Sequence, residues 1–213
     1  MAKKIVIVGA GGHAAELIDY INVWNRVRDE KIIIKGLIDD NRGNYDHYNF
    51  SEQFLGSIQD HIVDHGCFYL MGIANIDFRK KIVLELLNKG ARLTGFIHPS
   101  AEISPSAVIE EGVVISRNST VGPLAKIGRH TIVNSRCTIG HDSNIGEFNF
   151  ISPLCAISGN TVIGDDNLIG TNVITVPGVK IGNGNKIGAG VVLFFEVSNS
   201  ITVVGQKPRI IER

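Results

Sequence analysis

One aliphatic position returns every six residues between Ile97 and Leu193, and this repeat constrains the fold more than any other feature. A period of six fits neither an amphipathic helix, with 3.6 residues per turn, nor an alternating strand, with a period of two. It fits a solenoid in which three six-residue sides close one triangular coil, so the repeat predicts a parallel β-helix. The anchor positions are Ile97, Ile103, Ile109, Ile115, Val121, Ile127, Val133, Ile139, Ile145, Ile151, Ile157, Ile163, Ile169, Thr175, Ile181, Ile187 and Leu193, of which only Thr175 is not aliphatic.

Two further positions of the repeat are restricted in residue type. The residue four places after an anchor is usually small, as at Ala125, Cys137 and Thr161, and the residue directly after an anchor is often glycine, as at Gly140 and Gly164. We expect the anchor to point inward and the small residue to fit near a corner. We expect the glycine to supply backbone dihedrals that other residues avoid. Successive coils then lie about 4.8 Å apart, the usual spacing of paired strands.

The N-terminal region begins with a strand–turn–helix pattern. An apolar run at 3–8 is followed by Gly9-Ala10-Gly11-Gly12-His13 and then by a helical pattern at 14–21. Gly9, Gly11 and Ala14 satisfy a relaxed form of the glycine motif that brings a backbone close to a phosphate at a helix N-terminus. The motif by itself leaves two interpretations open: a nucleotide site, or a tight turn that binds no ligand.

The rest of this region predicts an α/β unit with a parallel sheet. Acidic residues at the end of the second strand commonly hold a sugar hydroxyl or a base edge. We therefore predict a Rossmann-like domain over residues 1–95 and a β-helix domain over 96–213. The predicted elements are a strand Ile32–Ile38 ending in Asp39 and Asp40, a surface excursion at 41–54, a strand Cys67–Met71 followed by Gly72, and a helix Asp77–Asn88 closed by Gly90.

Composition excludes several classes of partner. Twenty-one basic and 21 acidic residues give a formal charge of zero, so nothing indicates a nucleic-acid or anionic-membrane surface. No signal peptide and no apolar run of about 20 residues is present, so we expect a cytoplasmic protein. Three cysteines without metal-ligand spacing suit a reducing compartment. Cys137 and Cys155 are one coil apart, and we interpret them as stacked core residues.

The best candidate for chemistry in the repeat is His141, two residues after an anchor and directly before Asp142. A histidine at an exposed corner can act as a general base, and a nearby carboxylate strengthens it. Adjacent side chains diverge in a strand, so their contact requires a turn. Gly159 lies one coil further on, where its N–H can meet a developing oxyanion of an acyl transfer. Asn134 is a candidate for orienting the imidazole ring. The alternative is an exposed corner histidine without a role.

Taken together, the motifs resemble one family. Gly9-Ala10-Gly11-Gly12-His13, Asp39-Asp40, Phe96 to Ala101, Asn134, Gly140-His141-Asp142, the hexapeptide ladder and Val203 to Pro208 occur in that order. This combination resembles the sugar O- and N-acyltransferases with a left-handed β-helix, which include sialic acid O-acetyltransferase and the N-acetyltransferase of the UDP-bacillosamine pathway. The resemblance implies a homotrimer that uses acetyl-CoA, with active sites between neighbouring subunits.

The resemblance also implies roles for individual residues. His141 would be the general base and Asp142 the residue that strengthens it. The closing segment carries Lys207 and Arg209, which we place near the CoA phosphates by charge and position. The residues implied to hold the sugar nucleotide are Gly11, Gly12, His13, Asp39, Asp40 and Gly72, and those implied to line the acetyl-CoA groove by backbone contacts are Gly159, Thr171 and Ala189.

One position departs from the family pattern. Many relatives carry a second histidine nine residues after the base, where this chain has Phe150. The substitution leaves the Gly159 amide as the donor to the thioester carbonyl, and it places an apolar ring where acceptor or pantetheine packs.

The sequence therefore predicts an N-acetyltransferase that acts on a nucleotide-linked 4-amino-4,6-dideoxy sugar in surface-glycan biosynthesis. UDP, dTDP and GDP remain open. O-acetylation of sialic acid or another glycan hydroxyl is the nearest alternative, and a non-catalytic trimer that binds sugar nucleotide is a further one. No metal is expected: a β-helix carbonic anhydrase needs several converging histidines, and His98, His130 and His141 include no close-spaced pair.

Overall fold

The computed structural model describes residues 2–206 of the chain, and its N-terminal part is a four-stranded parallel sheet with three helices. The strand order is β2-β1-β3-β4. None of the helices within residues 2–206 combines the length and the apolar character needed to cross a bilayer. The elements are β1 (Lys3–Val8), α1 (Gly12–Val27), β2 (Ile32–Ile38), α2 (Arg42–Tyr48), β3 (Phe68–Met71), α3 (Ile76–Asn88) and β4 (Arg92–Thr94).

The elements predicted for this region are present, with one correction. The second strand has the predicted bounds, the third begins one residue later, and the last helix begins at Ile76 because the Asn75 side chain accepts a hydrogen bond from the Phe78 amide at 2.9 Å. The segment 41–54, predicted as a surface excursion, contains α2. Asn41 begins this helix by accepting a hydrogen bond from the Gly43 amide at 3.0 Å.

The C-terminal part is the predicted parallel β-helix, and each of its sides is one short strand per coil. We call its sheets face 1 (β5, β8, β11, β14, β17, β20, β22), face 2 (β6, β9, β12, β15, β18, β21) and face 3 (β7, β10, β13, β16, β19). The strands are β5 (Phe96–Ile97), β6 (Glu102–Ile103), β7 (Val108–Ile109), β8 (Val114–Ile115), β9 (Thr120–Val121), β10 (Lys126–Ile127), β11 (Ile132–Val133), β12 (Thr138–Ile139), β13 (Asn144–Ile145), β14 (Phe150–Ile151), β15 (Ala156–Ile157), β16 (Val162–Ile163), β17 (Leu168–Ile169), β18 (Ile174–Thr175), β19 (Lys180–Ile181), β20 (Lys186–Ile187), β21 (Val192–Leu193) and β22 (Thr202–Val203).

The solenoid core is built as the repeat predicts. Every anchor is the second residue of its strand, and from Ile115 to Leu193 every anchor is buried. The small residues fill the corners from inside. Cys137 and Cys155 are buried, free and one coil apart, and their thiols donate to carbonyl oxygens of Ser152 and Gly170 at 3.1 Å each.

The glycine prediction is wrong in its mechanism. The left-handed backbone conformation occurs three residues after the anchor, at every sixth residue from 112 to 190, and most of these residues are not glycine. The glycines directly after the anchors lie where coils approach closely. A Cβ on Gly140 would collide with the Gly159 amide nitrogen of the next coil, and one on Gly122 would lie 2.7 Å from the His141 nitrogen. Close stacking, not dihedral freedom, requires glycine there.

Helix α1 packs on the outer surface of face 1 and joins the two parts of the chain. Val114 and Ile132 point out of the solenoid, yet they are buried in the same cluster as Leu17 and Ile21 of α1. Burying each such aliphatic side chain contributes roughly 1.5–3 kcal/mol. The two parts also meet at α3, where the buried Arg79 guanidinium donates to carbonyls of both, to Ala74 at 2.8 Å and to Phe148 at 3.1 Å.

Candidate active site

His141 and Asp142 form an exposed pair at the corner between faces 2 and 3, which we call the 2–3 corner. Asp142 has a φ of 57°, and this left-handed turn lets two adjacent side chains meet. Nδ1 of His141 lies 2.7 Å from Oδ2 of Asp142, and 61% of the histidine side chain is exposed. The carboxylate fixes the ring, and Nε2 is left to accept a proton.

Gly159 lies directly against the free edge of this imidazole. A Cβ built on Gly159 would be 2.6 Å from Nε2 of His141, so a side chain there would displace the ring. The two coils are tied together at this point because the Asn160 amide donates to the His141 carbonyl at 2.9 Å. The predicted neighbours are therefore adjacent in the structure.

The peptide between Ser158 and Gly159 has a defined orientation. The buried Ser143 hydroxyl donates to the Ser158 carbonyl at 3.0 Å from inside the solenoid. Carbonyl and N–H of a planar trans peptide point in opposite directions, so the Gly159 N–H points away from the core. Among residues 2–206 it meets no acceptor.

The corner between faces 3 and 1, the 3–1 corner, explains why this amide is open. There the amides of Glu147, Asp165 and Asn183 each donate at 2.7 Å to a side chain one coil on, those of Asp165, Asn183 and Asn199. At the 2–3 corner, the residues one coil on from His141 and Gly159 are Gly159 and Pro177, and neither has a side chain that could accept a hydrogen bond. The residue types at these two positions therefore leave the amides of His141 and Gly159 free to bind another group.

A second candidate site is a cavity of about 450 Å³ at the carboxyl ends of β1, β2 and β3. It brings together all six residues predicted to hold a nucleotide, namely Gly11, Gly12, His13, Asp39, Asp40 and Gly72. The Asp39 carboxylate accepts hydrogen bonds from the Ala10 and Asn41 amides at 2.7 Å each, and so fixes the glycine turn. Oδ1 of Asp40 accepts from the Ile58 and Gln59 amides at 2.8 and 3.1 Å.

The glycines of this cavity are required for space. A Cβ on Gly12 would lie 2.9 Å from the Tyr48 hydroxyl, and one on Gly72 would lie 2.9 Å from the Ala14 Cβ. Gly11, in contrast, has nothing within 4 Å, so a side chain there would occupy the cavity itself. An anion in this space meets the N-terminus of α1.

His13 connects this cavity to the solenoid. Its ring lies edge-on to Phe150, with centroids 6.4 Å apart, and its Nδ1 is 3.6 Å from a Glu16 carboxylate oxygen. Hydrogen bonding with His13 lowers the pKa of Glu16, against the opposing effect of burial. Nε2 of His13 is buried and has no partner among the described residues. Phe150 therefore lies at the contact between the two parts, next to the histidine that lines this cavity.

Within one chain, the other predicted site residues of the solenoid lie at a different corner from His141. Asn134 lies at the corner between faces 1 and 2, the 1–2 corner, where its Oδ1 accepts from the Ser135 amide at 2.7 Å. Within the described chain Asn134 does not hydrogen-bond to His141. Thr171 and Ala189 stack at this same corner, whereas Gly159 is at the 2–3 corner. Lys207 and Arg209 lie outside the described residues.

The three histidines of the solenoid lie at three different corners. His98 bonds Ser100 at 2.8 Å at the 1–2 corner, and its ring meets that of Tyr20. His130 is buried against Phe148 at the 3–1 corner. Within residues 2–206 no three histidine, cysteine or acidic side chains come together as a set of metal ligands.

Sequence reasoning missed two groups of residues. Ser143 is four places after the anchor Ile139, where the repeat predicts only a small corner residue. The signal for its further role is a spacing of 15 residues between donor and carbonyl, which recurs in Thr131 to Gly146 at 2.8 Å. Sequence reasoning also missed several residues that line the cavity. The signal that could have found them is the location of ligand sites at the carboxyl ends of parallel strands. These residues are Asn41, Asn44, Asn75 and Phe78.

Comparison with known proteins finds a matching family model for each of the two parts of the chain. Residues 4–86 match the model of the PglD N-terminal domain, and residues 160–194 match that of the bacterial transferase hexapeptide (six repeats). The predicted resemblance to the left-handed β-helix sugar acyltransferases is confirmed by these matches. The predicted fold class, a Rossmann-like α/β domain followed by a left-handed parallel β-helix, is confirmed.

Individual relatives support this assignment. The acetyltransferase domain of PglB from Neisseria gonorrhoeae FA1090, in complex with acetyl coenzyme A, is 26% identical, with 96% of this chain and 97% of that chain covered and a TM-score of 0.84. PerB from Caulobacter crescentus, in complex with CoA and GDP-perosamine, is 24% identical with a TM-score of 0.80, covering 95% of this chain and 94% of that one, and shows the fold alone.

A curated relative matches over a shorter region. UDP-N-acetylbacillosamine N-acetyltransferase of Bacillus subtilis (strain 168) is 32% identical over 118 residues, which are 53% of this chain and 51% of the relative. The chain thus aligns with about half the length of this relative.

Proposed function

We propose that this protein is an acetyl-CoA-dependent N-acetyltransferase that acts on a nucleotide-linked 4-amino-4,6-dideoxy sugar in surface-glycan biosynthesis. The observation that carries the proposal is the His141–Asp142 pair, bonded at 2.7 Å and lying against the outward-pointing Gly159 amide. Base and oxyanion donor are the two groups that an acyl transfer to an amine requires. The bound acetyl coenzyme A of the similar PglB domain supports the choice of donor.

The reaction follows from these two groups. The neutral sugar amine attacks the thioester carbonyl, and Nε2 of His141 takes the amine proton as the C–N bond forms. The Gly159 N–H donates to the oxyanion of the tetrahedral intermediate. The C–S bond then breaks, the CoA thiolate leaves, and the proton passes from the imidazolium to the thiolate. Asp142 holds the ring and stabilises the imidazolium, and no metal has a part in these steps.

The N-terminal cavity is the proposed site of the nucleotide. Its glycine backbone and the N-terminus of α1 suit a diphosphate, and Asp39 and Asp40 are the polar groups for ribose or base. The name of the B. subtilis relative supports a UDP-linked sugar, and dTDP is the closest alternative. We assign nucleotide binding to residues 1–95 and acyl transfer to residues 96–213.

We further propose a homotrimer whose active sites combine two chains. The nucleotide cavity adjoins Phe150 on face 1, whereas His141 is at the corner opposite that face, so the solenoid of one chain separates the two. Asn134, Thr171 and Ala189 at the 1–2 corner would complete the acetyl-CoA site from a neighbouring chain. Face 2 and its corners expose apolar side chains that such an assembly would cover: Leu124, Leu154, Ile174 and Val192.

Mixed trimers test the shared site. A His141→Ala chain keeps its cavity, and a Gly11→Trp chain, whose cavity is filled, keeps its base; each alone is expected to be inactive. Co-refolded at equal amounts, they are expected to recover about a quarter of wild-type activity, because that fraction of the sites combines two intact halves. No recovery from a mixture shown to contain both chains would place the site within one chain.

The reaction itself is tested by thiol release from acetyl-CoA. The panel contains UDP-, dTDP- and GDP-linked 4-amino sugars, with sialic acid as the O-acetylation control. Turnover with one amino-sugar nucleotide, lost in His141→Ala, is the expected result. Turnover with sialic acid alone would replace the proposal by O-acetylation, and nucleotide binding without turnover on any acceptor would favour the non-catalytic trimer.

A further inference from the structure

Thr175 is the one anchor of the solenoid that is not aliphatic, and it faces the proposed active site from inside. Its side chain is buried with 1% exposure, in a row otherwise filled by isoleucine, leucine and valine. It is one coil beyond Ile157, the anchor two residues before Gly159. A buried hydroxyl among aliphatic side chains costs free energy unless it is hydrogen-bonded.

The backbone ladder is altered at this position. On face 2 the residue after an anchor normally donates its N–H to the carbonyl of the next coil's anchor, as from Gly140 to Ile157 at 2.7 Å. Ser158 instead donates its N–H to Oγ1 of Thr175, at 2.9 Å. Its own hydroxyl donates to the Thr175 carbonyl at 2.5 Å. Among the described coils of the three faces, this rung alone exchanges a backbone acceptor for a side chain.

The exchange fixes the residue that carries the open amide. Ser158 is held at its N–H by Thr175 and at its carbonyl by Ser143, and that carbonyl belongs to the peptide whose N–H is Gly159. Thr161, whose Oγ1 lies 3.1 Å from that of Thr175, supports the hydroxyl from the other side. We infer that Thr175 is a positioning residue that sets the direction of the Gly159 N–H toward the reacting carbonyl; this inference rests on the proposed acyl transfer.

An aliphatic anchor at this position would restore the regular ladder. Valine has nearly the shape of threonine but no hydroxyl, so in Thr175→Val the Ser158 amide has to turn to the carbonyl of residue 175, and the buried Thr161 hydroxyl loses its partner. The irregular rung differs from a regular one in which acceptor holds the Ser158 amide. Its effect falls on the peptide next to His141, where a displacement of about 1 Å is enough to cost about 100-fold in rate.

Two substitutions that separate the hydroxyl from the methyl group test the inference. Thr175→Val keeps the methyl and removes the hydroxyl, so it is expected to lower kcat about 10- to 100-fold with the KM for both substrates changed less than about threefold, and to lose some stability because the Thr161 hydroxyl loses its partner. Thr175→Ser keeps the hydroxyl and loses a buried methyl, so it is expected to be less stable while its kcat stays within about threefold of wild type.

Three results would overturn the inference: wild-type kcat in Thr175→Val, an equal loss in both variants, or a loss that appears only in KM. A crystal structure of Thr175→Val separates this outcome from failure of the proposed reaction. We expect the Ser158 amide to move to the carbonyl of residue 175 and the Gly159 peptide to turn with it. If no acceptor releases CoA thiol, the proposed function fails, and an unchanged Ser158–Gly159 peptide in that crystal structure overturns the positioning role independently.

Discussion

The 2–3 and 3–1 corners have the same backbone conformation, but they differ in whether side chains accept the hydrogen bonds of the corner amides. Between residues 112 and 190 both turn through a left-handed residue at each coil, and both stack at one-coil spacing. At the 3–1 corner a ladder of Asp and Asn side chains accepts the amides of Glu147, Asp165 and Asn183. At the 2–3 corner Gly159 and Pro177 leave the amides without such acceptors. A repeat that is uniform in its backbone thus leaves open amides along one edge where the capping side chains are absent.

The two corners also carry histidines of opposite kinds. His141 is exposed and bonded to a carboxylate, whereas His130 is buried, with Nδ1 lacking a partner among the described residues. Burial, and then the nearby Arg79, lower the pKa of His130 to about 4, against an opposing effect of Glu147. One histidine is available to solvent for proton transfer, and the other is kept neutral as a packing residue.

The largest effect is expected from His141→Ala. Loss of the general base is expected to lower kcat about 10²- to 10⁴-fold, while the unfolding temperature stays close to that of wild type because the side chain is exposed. Steady-state thiol release and thermal unfolding measure the two quantities. Near-normal turnover in His141→Ala would show that the histidine at the 2–3 corner is not the general base.

His130→Asn probes the buried histidine and keeps a residue type that tolerates the left-handed backbone. Between about pH 6.5 and pH 4 the unfolded wild-type chain binds a proton at His130 that the folded chain does not, so the free energy of unfolding falls as the pH falls. The full loss, reached below about pH 4, is on the order of 3 kcal/mol, and about 2 kcal/mol of it falls between pH 7 and pH 5. Urea unfolding at pH 7 and pH 5 should show this loss in wild type and a smaller one in His130→Asn; equal losses would contradict the assignment.

Gly159→Ala is expected to separate activity from folding. The added Cβ would displace the His141 ring, and kcat is expected to fall about 100-fold with little change in stability. Gly164→Ala is a control glycine at the 3–1 corner, one place nearer to its anchor than Gly159, where the added Cβ collides with Oδ1 of Asn183. We expect that variant to lose stability and keep its kcat. The reverse pattern would show that Gly159 serves packing alone.

Pro177→Asn would give the 2–3 corner the side-chain acceptor that the 3–1 corner has. By the spacing of the Asp165–Asn183 pair, its side chain is expected to accept the Gly159 N–H. Competition for this donor is expected to lower kcat about tenfold, while the new hydrogen bond adds about 1 kcal/mol to the free energy of unfolding. Kinetics together with chemical denaturation would reveal both changes, and unaltered kinetics in a stabilised variant would count against Gly159 as the oxyanion donor.

Asp165→Ala is expected to have the smallest effect. It removes the acceptor of the Glu147 amide, which costs about 1 kcal/mol of stability and leaves kcat unchanged. Asp165→Asn, which keeps an acceptor oxygen, serves as its control in the same denaturation experiment. A substantial loss of activity in Asp165→Ala would mean that the 3–1 corner also contributes to the reaction.

Much of the fold was predictable because the hexapeptide repeat is a local property of the sequence. The inward anchors and small corner residues were correct, since burial selects residue type at each position. The glycines after the anchors were assigned a wrong role, because whether Gly140 serves dihedral freedom or close approach depends on the neighbouring coil. The helix α2 was missed, since its Asn cap lies in a polar segment with no buried face.

The sequence by itself determined the triangular coil, the one-coil spacing of His141 and Gly159, and the unusual anchor Thr175. Only the tertiary structure decided which amides are capped, which carbonyl Ser143 holds, and that Phe150 lies beside His13 and not beside His141 of the same chain. The physical reason is that side-chain type repeats along the chain, whereas a hydrogen bond joins residues 15 to 18 positions apart across coils. The stacking of the coils has to exist before such contacts can form.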